Sequence, residues 1–200
     1  MSGAENALRP DLAVIADHVP AGSRVLDIGC GDGALMAALR ADKGVDARGL
    51  EIDPANVELC VSRGLAVIQG DANADLAFYP DGAFDYAILS QTLQTTQRPD
   101  RMMDELLRIG RQAFVSFPNF AHWRVRAALL CQGRMPVTRH LPQTWYDTPN
   151  IHHLTIRDFR DLLADKGVRI QRSWFISNGR LIAATGANLR AQNAVFLISR

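Results

Sequence analysis

The sequence predicts an α/β protein with a doubly wound, Rossmann-like sheet of seven mostly parallel strands. Three observations predict it. An apolar run, Val25-Leu26-Asp27-Ile28, passes through Gly29, Gly31 and Gly33 into a segment rich in Ala, Leu and Met, which reads as strand, tight turn and helix. Short β-type runs then alternate with helical segments as far as Phe117, the pattern of a parallel sheet joined by crossover helices. Two further apolar runs, 168–177 and 194–199, bring the strand count to seven.

Length and composition set the frame. With 200 residues, 48% of them hydrophobic, the chain suits one domain over 1–200 with a substantial core. Lys and Arg total 22 against 21 for Asp and Glu, a net charge of +1, so charge makes no case for nucleic acid or an anionic membrane as partner. Residues 1–10 lack the basic segment and apolar run of a secretory signal, and no long uncharged apolar stretch follows; a cytoplasmic location is expected. Cys30, Cys60 and Cys131 are widely spaced, with no C-x-x-C pair, which points to neither a disulfide framework nor a cysteine zinc site.

The elements follow in order. Residues 1–9 are polar and expected to fray, and 10–18 read as a packed helix broken by Pro20-Ala21-Gly22. After the strand at 25–28, the glycines permit a sharp backbone and a close ligand approach, delivering that ligand to free N–H groups at the N-terminus of a helix over 34–41. Gly44 is placed to take the left-handed C-cap. Asp27 and Asp32 put two carboxylates where a dinucleotide would put its pyrophosphate, whereas a cationic ligand suits an acidic turn.

Asp27-x-Gly29-x-Gly31-x-Gly33 resembles the S-adenosylmethionine-binding signature of the class I methyltransferase superfamily. The same glycines also fit the looser dinucleotide fingerprint. Cys30 fills a small position beside the ligand. A second strand, 46–52, places Glu51 about 20 residues beyond Gly31, where a carboxylate can accept both ribose hydroxyls in either cofactor class. Ile52 stands beside it. Asp53-Pro54 caps a helix reaching Arg63, and a third strand, 65–72, turns at Gly70-Asp71. The resemblance implies that Asp71 binds the adenine amino group and the Ala72 N–H the ring. A fourth strand spans 84–89, so Ser90-Gln91-Thr92-Leu93-Gln94 should line the pocket at the strand's carboxyl end. That segment holds amides and hydroxyls, but neither an acid nor an Asn/Asp-Pro-Pro-Tyr motif, and no catalytic residue is identified. A helix over 98–109 and a strand over 112–117 complete this half.

Beyond Phe117 the text is distinctive. Phe117-Pro118-Asn119-Phe120-Ala121-His122-Trp123-Arg124, Gly133-Arg134-Met135-Pro136-Val137-Thr138 and Trp145-Tyr146-Asp147-Thr148-Pro149-Asn150-Ile151-His152-His153 resemble the methionine biosynthesis protein family MetW, a likeness running from Val25 through Phe159. Residues 134–153 form a long, proline-punctuated loop insertion of the kind that is usually functional. His140, His152 and His153 do not make a convincing metal site, because adjacent histidines on an extended segment face opposite sides and no carboxylate or cysteine completes the set. His122-Trp123 and Tyr146-Asp147 are candidates for substrate or interface contacts, with Arg124, Arg126 and Arg134 as partner-binding types. A helix over 155–166 begins at a Thr155/Asp158 capping box and ends at Gly167. The superfamily pairs the last two strands as an antiparallel hairpin edge.

Three functions are weighed. One is an active S-adenosylmethionine-dependent methyltransferase working by proximity and orientation. The MetW resemblance implies another: a protein of this fold that binds S-adenosylmethionine or S-adenosylhomocysteine and serves homoserine O-acetyltransferase as partner or regulator. An NAD-dependent oxidoreductase is the third. The partner reading is preferred, and the oligomeric state is left open.

Overall fold

The computed structural model describes residues 8–138 and 141–200. In chain order it forms α1 (Pro10–His18), β1 (Arg24–Ile28), α2 (Ala34–Lys43), β2 (Asp46–Glu51), α3 (Pro54–Ser62), β3 (Ala66–Gln69), the one-turn α4 (Ala72–Asp75), β4 (Phe84–Ser90), α5 (Pro99–Ile109), β5 (Gly110–Pro118), α6 (Trp123–Gln132), α7 (Ile156–Asp165), β6 (Arg169–Ser177), β7 (Arg180–Ile182), the short α8 (Ala187–Arg190) and β8 (Asn193–Ser199). The strands make one sheet in the order β3-β2-β1-β4-β5-β8-β6-β7. β1 to β5 pair in parallel, and β8 enters antiparallel between β5 and β6.

The period-two alternation of each strand sorts its side chains onto two helical layers. Leu26, Ile28, Ala87, Leu89, Val115 and Phe196 face α5 and α7, whose Met103, Leu106, Phe159 and Leu163 are buried against them. Val25, Ile88, Phe114 and Val195 face the opposite layer, where Val14 and Ile15 of α1 and Leu35 and Leu39 of α2 lie. Gly110 starts β5 with no room for a side chain, because a Cβ there would stand 2.7 Å from the Ala87 backbone nitrogen.

Two elements go beyond the sequence reading. The sheet has eight strands rather than seven: β7 folds back on β6 through Asn178-Gly179, both at positive φ (49° and 75°), a two-residue hairpin turn. Helix α6 buries Val125 alone and so carries no amphipathic pattern; the buried His122 caps its start and Gly133, at φ 63°, its end. The Thr155/Asp158 capping box and the Gly44 cap of α2 form as expected.

Candidate cofactor site

The site is built at the carboxyl ends of β1, β2 and β4. Gly29, Gly31 and Gly33 all adopt positive φ, at 70°, 56° and 75°. A Cβ on Gly29 would meet Thr92 Oγ1 at 2.5 Å, and one on Gly33 would overlap Leu65 and Cys60. Nothing stands over Gly31. The turn's own amides are committed within the protein: Gly29 N–H and Cys30 N–H donate to the Leu50 carbonyl, Gly33 N–H to the Cys30 carbonyl, and Gly31 N–H to Glu51 Oε2 at 2.7 Å. The donors expected at the helix N-terminus belong to the first turn of α2, where the Ala34 N–H is held by Asp32 Oδ1 at 3.2 Å. The tight turn closes onto β2 and spends its donors there.

Glu51 is 6% exposed, and its Oε1 accepts from the N–H groups of Ile52 and Asp53, each at 2.9 Å. Both lone pairs of Oε1 are thereby taken, and Oε2, which accepts from Gly31 alone, keeps one. Asp32 is partly neutralised, since Arg63 donates to both its carbonyl and its carboxylate. Asp27 is different. It is 2% exposed, and burial pushes its carboxyl up to about 7, with Arg9 opposing the shift and Glu51 and Asp11 adding to it.

Arg9 and Asp11 carry no sequence motif. In β4 and β5 the alternation that buries Ile88 and Phe114 beneath α1 brings Ser90 and Ser116 to the same face two residues on. There Asp11 Oδ2 accepts from Ser90 Oγ at 2.9 Å and from Ser116 Oγ at 2.8 Å, while Arg9 donates to Ser90 Oγ at 2.8 Å and spans Asp11 at 3.3 Å. The network pins the Arg9 guanidinium over the strand ends.

Two adjoining cavities result. One, about 340 Å³, is bordered by Arg9, Asp27, Gly29, Cys30, Gly31, Asp32 and Ser90. The other, about 320 Å³, is bordered by Gly29, Leu50, Ile52, Asp71, Ala72, Asn73 and Thr92. Gly29 belongs to both. Asp71 caps α4, its Oδ1 accepting from the Asn73 backbone and side chain at 2.8 Å each. The Cys30 thiol is pushed far up by burial and by Asp27, so it is held as a neutral thiol. Gly33 and Glu51 shape the turn without lining either cavity.

A model of the methionine biosynthesis protein MetW family matches residues 9–198. The chain belongs to the MetW family. It is 37% identical, over 96% of its length, to the bifunctional methionine biosynthesis protein MetXA/MetW of Rhodopirellula baltica, of which it spans about a third, 33%. Among solved structures it is similar to S-adenosylmethionine-dependent methyltransferases from Archaeoglobus fulgidus (TM-score 0.70, 16% identity, 94% of this chain and 91% of that one). A second, from Mesorhizobium loti, gives TM-score 0.70 and 16% identity over 96% of this chain and 98% of that one. These likenesses show the class I methyltransferase fold, and the antiparallel β8–β6 edge agrees with it.

In this MetW-family chain the 134–153 loop, described except for 139 and 140, folds over the strand ends. Ile151 and His152 N–H groups donate to the Gln94 carbonyl at 2.9 and 3.0 Å, which brings Pro149 to the edge of the second cavity. Trp145 and Tyr146 are about three-quarters exposed. His122 is not a surface contact, contrary to expectation. It is buried, its Nδ1 accepts from the Arg124 N–H, and burial holds its pKa below the usual imidazole value. Its neighbour Trp123 is half-exposed with Arg124 over its ring. Arg126 is turned back to the Ala121 carbonyl. His153 packs edge-on against Phe120, His140 lies outside the described residues, and no cluster of three His, Cys, Asp or Glu that could hold a metal occurs among those described.

Proposed function

We propose that this chain binds S-adenosylmethionine, or S-adenosylhomocysteine, and acts as a partner or regulator of homoserine O-acetyltransferase. The cofactor half rests on fit. Asp27 would take the ammonium of the methionine moiety and Arg9 its carboxylate, Ile52, Asp71 and Ala72 would border the adenine, and Glu51, behind the Gly29 that both cavities share, keeps one Oε2 lone pair for a ribose hydroxyl. A nicotinamide dinucleotide fits less well, because the carboxylates of Asp27 and Asp32 border the cavity where its pyrophosphate would lie. When bound, S-adenosylmethionine supplies an electrophilic methyl group; the residues around it bind and orient.

The observation that carries the partner role is the Rhodopirellula relative, whose name joins MetXA and MetW in one polypeptide. Fusion raises the effective concentration of one module at the other, which benefits pairs that work together. Helix α6 and the loop after it leave large apolar side chains exposed, Trp123, Leu130, Val137, Tyr146 and Ile151 among them, the residue types that anchor interfaces. Among the described residues no helix is long and apolar enough to cross a membrane. The test is the rate of homoserine O-acetylation by the purified acetyltransferase with this chain titrated in, with and without S-adenosylmethionine. A saturable change supports the partner role, and no change in either condition refutes it.

A methyltransferase acting on a small molecule is the second reading. It is favoured by an open space at the β4 end, where Gln91, Thr95 and Asn150 can orient an acceptor without abstracting a proton. Methyl transfer that survives Asp27→Ala unchanged would count against this site.

A further inference from the structure

A third cavity, about 250 Å³, lies beyond the two already described, between the ends of β4 and β5 and the 134–153 loop. It is just below the usual range for drug-sized ligands and so suits a small metabolite. Gln94, 4% exposed, lines it. Gln94 Nε2 donates to the Gln91 carbonyl at 2.7 Å, which sets the amide's orientation and leaves Oε1 buried without a donor. Thr144 Oγ1, contributed to the same cavity by the loop, is also buried and unpartnered. Buried polar atoms in native proteins are nearly always paired, so two orphans in one cavity mark the place of a hydrogen-bonding guest.

Charge narrows the class of guest. No Asp or Glu is present among the described lining residues, and Arg9 is their one Lys or Arg. The guanidinium therefore favours an anionic group at that end. Phe120, Met135 and Trp145 supply an apolar flank. Neither Gln94 nor Thr144 lines the cofactor cavities.

We propose that this cavity binds a small amino or hydroxy acid, whose ammonium donates to both Gln94 Oε1 and Thr144 Oγ1, or whose hydroxyl donates to Gln94 Oε1 and accepts from the Thr144 hydroxyl, and whose carboxylate faces Arg9. Gln94 and Thr144 belong to this cavity and not to the cofactor cavities, while Arg9 borders both it and the first of them; the site does not require the cofactor reading to hold.

The experiment is calorimetric titration of the full chain with the proteinogenic L-amino acids, L-homoserine and the matching hydroxy acids, alone and with S-adenosylhomocysteine. At least one acid is expected to bind, and its analogues lacking the carboxylate or the donor group are expected not to. Thr144→Val should weaken that acid about three- to tenfold while leaving S-adenosylhomocysteine affinity unchanged. Gln94→Leu should do the same in a variant shown by circular dichroism to be folded. Absence of binding across the set at millimolar concentration overturns the site and leaves these polar atoms to ordered water. Binding that is insensitive to Thr144→Val and strictly competitive with S-adenosylhomocysteine also overturns it, placing the acid in the cofactor cavity. If S-adenosylhomocysteine itself fails to bind, the cofactor reading falls, and the Thr144→Val comparison still decides this one.

Discussion

The Gly31 amide donates to Glu51 Oε2 across 2.7 Å, fastening the glycine turn after β1 to the end of β2. With Ile52 and Asp53 N–H on the other oxygen, one carboxylate satisfies three backbone donors. Glu51→Ala strands all three and should cost about 1–3 kcal/mol of stability, measured by chemical denaturation. Glu51→Gln keeps an acceptor and should fall between the variant and the parent. S-adenosylhomocysteine affinity is expected to drop in both. A Glu51→Ala protein as stable as the parent would show that the turn holds itself.

Asp27 predicts two opposite pH dependences. Its folded carboxyl is raised to about 7 from an ordinary value near 3.8, so the charged form is disfavoured by folding. Its contribution to stability is therefore greatest below about pH 4 and declines as pH rises through about 7. Asp27→Asn removes that penalty, so its gain in Tm over the parent should be larger at about pH 8 than at about pH 5. Binding runs the other way. An ammonium needs the ionised carboxylate, so parent affinity for S-adenosylhomocysteine should rise with pH up to about 7 and then level off, whereas the Asn variant binds weakly throughout.

At Gly29 both conformation and space exclude a side chain. Gly29→Ala meets a φ of 70° and the Thr92 hydroxyl at 2.5 Å, and should lose about 1–3 kcal/mol. Adding Thr92→Ala is expected to restore only part of this, because relieving the contact leaves the backbone strain in place. Full recovery in the double variant would assign the whole cost to the contact.

Arg9 is the cation that opposes the rise of the Asp27 carboxyl and that faces the same cavity. Arg9→Met should weaken S-adenosylhomocysteine by about ten- to a hundredfold through loss of a charge-assisted contact, and should shift the pH midpoint of binding upward. Asp11 keeps Ser90 and Ser116 as donors, so the fold should persist by circular dichroism.

Tyr146 and Leu130 are 74% and 87% exposed and line none of the three cavities described above. Tyr146→Ala with Leu130→Ser should therefore leave stability within about 0.5 kcal/mol and cofactor affinity unchanged, yet reduce any effect on the acetyltransferase. An undiminished effect would place the partner on another face.

Much of the fold was legible because it is written locally. Apolar strand runs, the Gly44 cap and the Thr155/Asp158 box act over a few residues, and the expected strands appear within a residue or two at β1, β2, β4 and β6. What was missed lacked a local pattern. Helix α6 buries a single side chain, and β7 is three residues long, although the Asn178-Gly179 pair was a hairpin signal in plain view.

At the site the division is sharper. Spacing alone placed Asp27, the three glycines and Glu51 at successive strand ends, since parallel strands deliver their carboxyl ends to one edge. Tertiary packing decided what those residues do. It raised Asp27 by burial, spent the turn amides on Leu50 and Glu51, and withdrew His122 into a cap. It also joined Arg9 and Asp11 of the chain's start to Ser90 and Ser116, because charge, desolvation and hydrogen bonding depend on neighbours that lie 79 and 105 positions away from Asp11 in the chain.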